Sequence, residues 1–235
     1  MQIPNQQILS LFKGEFVSDP HEITEKLKLV KAYLFDWDGV FNGGEKKENG
    51  SSSFSEIDAM GTNLLRFNHY LLTGETPVVA IVTGERNEYA LTLAKREHFH
   101  SVYFKIKHKI AALDHLCDQY NLQHNDVAFF FDDVLDLSVA SVAAARFLIK
   151  QHNSPLMEKY IKENGMADYI SAHDGSEHGF RESVELIMGL GGKYDEVLDQ
   201  RVQFSDVYQS YLAERNKPDP QLYTADLSGK IISEK

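Results

Sequence analysis

Ala32-Tyr33-Leu34-Phe35-Asp36-Trp37-Asp38-Gly39-Val40 is the stretch that decides the fold of this 235-residue chain. An apolar run meets an acid, a second acid follows two positions later, and then a glycine. Such a run reads as a buried parallel strand leaving its sheet at the carboxyl end, the edge where open α/β sheets hold their ligands. Asp-x-Asp-Gly is also ordinary turn chemistry, because Asp and Gly dominate turns. The rest of the chain decides between the two.

Outward from that stretch the same punctuation recurs. Pro77 to Val82 is apolar and ends in Thr83-Gly84, and Val127 to Phe131 is apolar and ends in Asp132-Asp133. Shorter strand patterns lie at 102–104, 147–149 and 167–172, with helical spacing at 59–72, 85–97, 107–120, 134–145, 155–163 and around 181–188. This alternation predicts an α/β fold, a Rossmann-like three-layer sandwich with a parallel sheet and right-handed crossovers, over residues 31–190. Residues 1–30 read as an N-terminal helical extension. Residues 191–235 read as one long amphipathic helix from Tyr194 and then a loose polar tail. After the first strand, Phe41 to Gly50 is punctuated by Gly and Asn and predicts a small hairpin returning through Ser51 to Ile57.

Composition narrows the function classes. Hydrophobic content of 43% is that of a soluble globular protein, while a net charge of -11 argues against nucleic acid and anionic membranes as partners. Cys117 is the only cysteine, so neither an intramolecular disulfide nor a cysteine-rich zinc site is available. Within its helical pattern it reads as a small buried hydrophobe. Met1 to Ser10 does not read as a signal peptide, and nowhere do 18 apolar residues run together, so the expected location is cytoplasmic.

In a parallel sheet the strand ends share one edge. Asp36, Asp38, Thr83, Asp132, Asp133 and Asp136 therefore converge there, with Lys109 at the start of the helix before the third of these strands. Carboxylates brought together cannot all stay ionised without a cation, and a hard, oxygen-seeking Mg²⁺ is the natural one. A hydroxyl and an ammonium beside it are what the equatorial oxygens of a phosphoryl group require. Lys107 sits near the same helix start. His98-Phe99-His100 and the pair His173 and His178 lack a matching second cluster and read as surface histidines; the latter two lie near the same sheet edge.

The set Asp36-x-Asp38-Gly39-Val40, Val82-Thr83-Gly84, Lys109 and Asp132-Asp133-Val134-Leu135-Asp136 resembles the haloacid dehalogenase (HAD) superfamily. Val40-Phe41-Asn42-Gly43-Gly44, Phe54-x-x-x-Asp58-x-Met60-Gly61 and a gap too short for a cap domain are similar to the capless 3-deoxy-D-manno-octulosonate 8-phosphate (KDO 8-phosphate) phosphatases. That likeness implies a Mg²⁺-dependent phosphomonoester hydrolase acting on a small phosphorylated sugar acid, assembled as a homotetramer. It implies Asp36 as nucleophile and Asp38 as general acid and base. Mg²⁺ would be held by Asp36, the Asp38 carbonyl and Asp132, with Asp133 and Asp136 orienting that shell. Thr83 and Lys109 would bind the transferring group, and Gly84, Arg86 and Arg181 would contact substrate.

The chain departs from the pattern at four places. Phe131 replaces the usual Gly before the Asp pair, which predicts either a narrowed cleft or an extended core. Glu85 stands where Arg is common, with Arg86 one place later. Ala59 replaces a Gly, and Gly179-Phe180-Arg181-Glu182 is one residue short of the family's stretch. Other readings are a phosphatase for another sugar or nucleotide phosphate or for a phosphoprotein, and a scaffold that kept the fold and lost turnover.

Overall fold

A computed structural model of the chain describes residues 6–48 and 50–234. The parts of the expected extension, hairpin and tail at residues 1–5, 49 and 235 lie outside the described residues. The N-terminal part forms α1 (Gln6–Leu9), β1 (Glu15–Phe16) and α2 (Pro20–Leu27). Then come β2 (Ala32–Phe35), α3 (Glu56–Thr73), β3 (Val78–Val82), α4 (Glu88–Glu97), β4 (Ser101–Phe104) and α5 (Ile110–Tyr120). β5 (Val127–Phe131), α6 (Leu137–Ala140), β6 (Ala145–Leu148), α7 (Pro155–Glu163), β7 (Tyr169–Ile170) and α8 (Gly179–Leu190) follow. The chain ends in α9 (Tyr194–Val202), α10 (Asp206–Arg215), β8 (Gln221–Ala225) and β9 (Ile231–Ser233).

Hydrogen bonding orders the described strands β1-β7-β6-β5-β2-β3-β4-β8-β9 in a single sheet. β7 through β8 in that order run parallel, and β1 and β9 add antiparallel edges. From β2 the chain builds outward on one side through β3 and β4, then crosses to the other through β5, β6 and β7. The reversal between β2 and β5 is the topological switch point, where a crevice opens at the carboxyl ends of the strands.

All four residues of β2 are buried, and alternate ones serve opposite faces. Tyr33 and Phe35 join Ile81, Phe130 and Phe147 beneath α3 and α8. Leu34 joins Val82, Phe129 and Phe131 against Leu113 and Leu116 of α5. Both sheet faces are therefore covered, as the unbroken apolar runs require. Among the described residues no cap domain interrupts this sandwich.

Several expected elements take another form. The segment after β2 contains no strand among its described residues. It is a loop closed by Lys47 N–H to Ser51 O at 2.8 Å, and Trp37 Nε1–H draws it onto the sheet edge by donating to Ser52 O at 3.2 Å. Rather than one helix from Tyr194, α9 and α10 are separated at Phe204, whose backbone is left-handed with φ 48°, and Ser205 caps α10 by accepting Tyr208 N–H. The tail is not loose, because β8 extends the sheet beside β4 and β9 folds back on it. In the N-terminal extension, β1 pairs with β7, so the described parts of both terminal segments contribute strands to the sheet. The helical pattern at 134–145 is realised only as a 3₁₀ turn, Val134–Asp136, and the short α6.

The N-terminal segment is held by one buried carboxylate. Asp168 accepts Lys26 Nζ and Ser18 Oγ, each at 2.7 Å, and both Nε and Nη2 of Arg146. Burial works to raise its pKa, but the hydrogen bonds from Arg146 and Lys26 outweigh it and hold the group below the ordinary carboxylate value. Removing one partner of such a buried network costs about 3–5 kcal/mol, so chemical denaturation of Asp168→Ala at neutral pH is expected to show a loss of that order. A carboxylate with a lowered folded pKa stabilises above its unfolded pKa. The gap to wild type should therefore shrink as pH falls through about 4 and below.

Candidate active site

β2 and β5 are hydrogen-bonded in register, Phe35 opposite Phe130, so the residues just past their ends emerge side by side. Asp36 donates its backbone N–H to Phe130 O at 2.9 Å, and both Asp36 and Asp132 are buried. Beyond Asp132 the chain turns at once. The Asp133 carboxylate accepts Val134 N–H at 2.7 Å, while Asp133 N–H donates to Asp136 Oδ2 at 3.2 Å. This capping box closes the 3₁₀ turn and carries the fully buried Asp136 back to the sheet edge. Asp133 thus shapes the turn.

Lys109, at the N-terminal end of α5, completes the group. Its ammonium lies 2.6 Å from Asp36 Oδ1 and 2.5 Å from Asp136 Oδ1. Burial works to lower its pKa, but the charges of Asp36 and Asp136 prevail and raise it, so it is a fixed cation at any physiological pH. One ammonium faces three carboxylates: oxygens of Asp36, Asp132 and Asp136 lie within 4.8 Å of one another. Burial, reinforced by the charges of Asp36 and Asp136, pushes Asp132 well above the ordinary carboxylate pKa. Burial and the charge of Asp36 raise Asp136 to about 7 against the pull of Lys109.

These observations fit a divalent cation. The donors are all oxygens, and Asp132 Oδ1 is buried without a hydrogen-bond partner. The raised pKa values show that protons must otherwise neutralise the cluster. Asp36, Asp132 and Asp136 would hold a hard ion such as Mg²⁺. Asp38 contributes no carboxylate to the group.

The Asp38 carboxylate turns outward to the cleft mouth. Lys46 Nζ lies 2.5 Å from its Oδ2, and Ser52 Oγ donates to its Oδ1. Asn87 Nδ2 in turn donates to Ser52 Oγ at 2.8 Å. Gly39, with φ 85°, passes against the acids, and a Cβ there would stand 1.9 Å from Asp132 Oδ2, so only glycine fits. Sequence reasoning missed Ser52 and Asn87, and also Gln151: its Nε2 donates to Asp132 Oδ2 at 3.0 Å and aims that carboxylate. Its only sequence signal was a place just past the carboxyl end of β6.

A cleft of about 520 Å³ opens on this group, walled by Asp36, Asp38, Lys46, Gly84, Glu85 and Lys107 among others. Lys107 has no ion-pair partner among the described residues, whereas Lys109 is locked between acids. Thr83 is buried at the end of β3, and its Oγ1 accepts Glu85 N–H at 3.4 Å. The two arginines expected at substrate are engaged elsewhere. Arg86 pairs with Glu88 and Glu234 and lies over the Phe104 ring, and Arg181 pairs with Glu185 at 2.9 Å. Phe131 is buried and stacks on Phe129 with ring centroids 5.4 Å apart, so it extends the core and leaves the cleft its width.

No protein-family model matches the chain. Among solved structures it is similar to a protein from Legionella pneumophila described as a HAD-superfamily hydrolase of subfamily III A, with TM-score 0.64 and 23% identity over 78% of this chain and 95% of that one. It is similar to the KDO 8-phosphate phosphatase of Moraxella catarrhalis in complex with magnesium, phosphate and KDO, with TM-score 0.62 and 21% identity over 79% and 99% of the two chains. The cobalt-bound octulosonate 8-phosphate phosphatase of Haemophilus influenzae matches with TM-score 0.61 and 22% identity over 76% and 98%. The chain therefore has the fold of HAD-superfamily hydrolases. No helix among the described residues is long and apolar enough to cross a membrane.

If the acids hold a cation, Mg²⁺ at a hundredfold its Kd stabilises the protein by about 2.7 kcal/mol, which is roughly 5–10 °C in Tm for a chain of this size. Differential scanning fluorimetry is expected to show that shift and to lose it in Asp132→Asn. Ligating carboxylates must shed their protons. The apparent Mg²⁺ affinity should therefore rise with pH up to about 7, where Asp136 titrates.

Proposed function

We propose that this protein is a Mg²⁺-dependent phosphomonoester hydrolase acting on a small phosphorylated metabolite. The observation that carries the proposal is Asp36 held by Lys109 beside the unpartnered Asp132 Oδ1, with Asp38 two residues on at the cleft mouth. When bound, Mg²⁺ supplies charge neutralisation for the phosphoryl oxygens and the acids around them.

In the first step an Asp36 carboxylate oxygen attacks phosphorus, the bond to the ester oxygen breaks, and the leaving alkoxide takes a proton from Asp38. Asp36 then carries an acyl phosphate. Asp38, now a carboxylate, accepts a proton from water as that water attacks phosphorus; the bond to Asp36 breaks and inorganic phosphate leaves. Lys109 serves both steps by fixing Asp36 through Oδ1 and balancing charge in a site from which water is largely excluded. Ser52, held by Asn87, fixes the Asp38 carboxylate at the mouth where the ester oxygen would lie.

The resemblance in the motifs, together with the phosphatases named among the similar structures, favours a sugar-sized substrate. A sugar acid such as KDO 8-phosphate or a nonulosonate 9-phosphate is the first class to assay. The same likeness leads us to propose a homotetramer, for which light scattering should return a mass of four chains; a single chain would remove that element.

Phosphate release with Mg²⁺ is expected to stop on chelation. Asp36→Asn should abolish it, and Asp38→Asn should lower kcat by about 10²–10⁴ on alkyl esters, the range general acid–base catalysis supplies. Turnover surviving Asp36→Asn would overturn the proposal.

A further inference from the structure

A second cavity of about 340 Å³ adjoins the cleft and shares Gly43 and Gln151 with it as common wall. Its remaining lining comes from three loops at the same sheet edge. Glu45 follows β2, His152 and Asn153 follow β6, and Asp174 and Ser176 follow β7. The partition is tightly seated: a Cβ on Gly175 would stand 2.2 Å from Gly39 O and 2.3 Å from Asn42 O. Asn42 Oδ1 in turn accepts Gly44 N–H at 2.8 Å. The second cavity is therefore built against the loop that carries Asp38 and Gly39.

From this we infer that the second cavity receives the far end of the leaving alcohol, and that this end bears hydroxyl or ammonium groups and no carboxylate. The inference rests on the phosphatase reading above. Its ground is the lining. Among the described residues no apolar side chain, lysine or arginine faces the cavity, while Glu45 and Asp174 bring carboxylates and Asn153, Ser176 and Gln151 bring neutral hydrogen-bonding groups. Asp174 accepts Ser176 N–H at 2.8 Å, Ser176 Oγ–H at 2.6 Å and Glu177 N–H at 3.0 Å. Burial works to raise its pKa, but these bonds outweigh it and lower it, so the group is charged at neutral pH. Glu177 adds a third carboxylate, with an oxygen within 4.8 Å of ligand atoms of His152 and Asp174.

The lysines lie in the other chamber, while the imidazole of His152 lines this one. Lys46, Lys107 and Lys109 all line the main cleft, where the phosphate sits. A ligand spanning both chambers therefore meets positive charge at its phosphate and negative charge at its opposite end. Hydroxyls and ammonium groups satisfy those acids, whereas a carboxylate would be desolvated beside like charge. In an eight-carbon sugar acid 8-phosphate the carboxylate and the phosphate occupy opposite ends of the chain. The lining of this cavity therefore places neutral or amino sugar phosphates above the sugar acids that the motif likeness puts first, and the assay below decides between the two.

The test uses wild-type protein loaded with Mg²⁺ and four probes: 4-nitrophenyl phosphate, glucose 6-phosphate, glucosamine 6-phosphate and 6-phosphogluconate. The aryl ester lacks a polar far end and reports the chemistry alone. The two neutral or amino sugar phosphates are expected to exceed 6-phosphogluconate in kcat/KM by about tenfold or more. Glu45→Gln and Asp174→Asn are each expected to shrink that ratio, mainly through KM for the acid. Glu45 lies on an exposed loop, so its variant reads the charge even if Asp174→Asn disturbs its turn. Turnover of the aryl ester with 6-phosphogluconate equal or preferred would overturn the inference and leave the phosphatase reading standing. No turnover of any probe would overturn that reading and the inference with it.

Discussion

Three carboxylates at the ends of two adjacent parallel strands, balanced by one buried ammonium, form the constraint on which this structure depends. Lys109 lies 2.6 Å from Asp36 and 2.5 Å from Asp136, and its charge works against the burial that raises the pKa of Asp136. Yet one positive charge against three negative ones leaves a deficit, and Asp132 bears it: its pKa is pushed up and one of its oxygens has no partner. A cluster designed only for stability would have replaced at least one acid. The fold instead surrounds the acids with supports, from Gly39 packed against Asp132 to the capping box that returns Asp136. Titratable groups pushed this far from their ordinary pKa values by burial and like charge are characteristic of functional sites.

The switch point explains why so few elements are needed. β2 and β5 are neighbours in the sheet but are separated by nearly a hundred residues, and their register alone places Asp36 beside Asp132. The loop after β2 is then free to carry Asp38 to the cleft mouth, where Lys46 and Ser52 position it. With no cap domain over the sheet edge among the described residues, the segments after β2 to β6 wall the cleft, and those after β2, β6 and β7 make the chamber next to it.

Much of this was legible in the residues. The apolar runs ending in acids located β2 and β5, and the parallel alternation brought Asp36, Asp132, Asp136 and Lys109 to one edge. Local chemistry failed where contacts are set by the folded whole. Gln151 lies in a polar loop with no motif, and nothing near it in sequence points to Asp132. Arg86 and Arg181 occupy suggestive places, but Glu234 and Glu185 engage them, and the first of those partners is far along the chain. The tail was read as loose from its polarity, although Gln221 to Ala225 and Ile231 to Ser233 flank a Ser-Gly turn that could have announced a hairpin. Phe131 left two outcomes open, and only its stacking on Phe129 decided for the core.

The most direct test is to trap the covalent intermediate. Asp38→Asn cannot activate water efficiently, while an aryl phosphate needs little help from an acid to leave, so the two together should let the phosphoenzyme accumulate. Rapid acid quench followed by peptide mass spectrometry is predicted to find a phosphate adduct on Asp36 in the presence of Mg²⁺ and none after chelation. Metal-dependent turnover with no adduct, or with the adduct on another residue, would contradict the account.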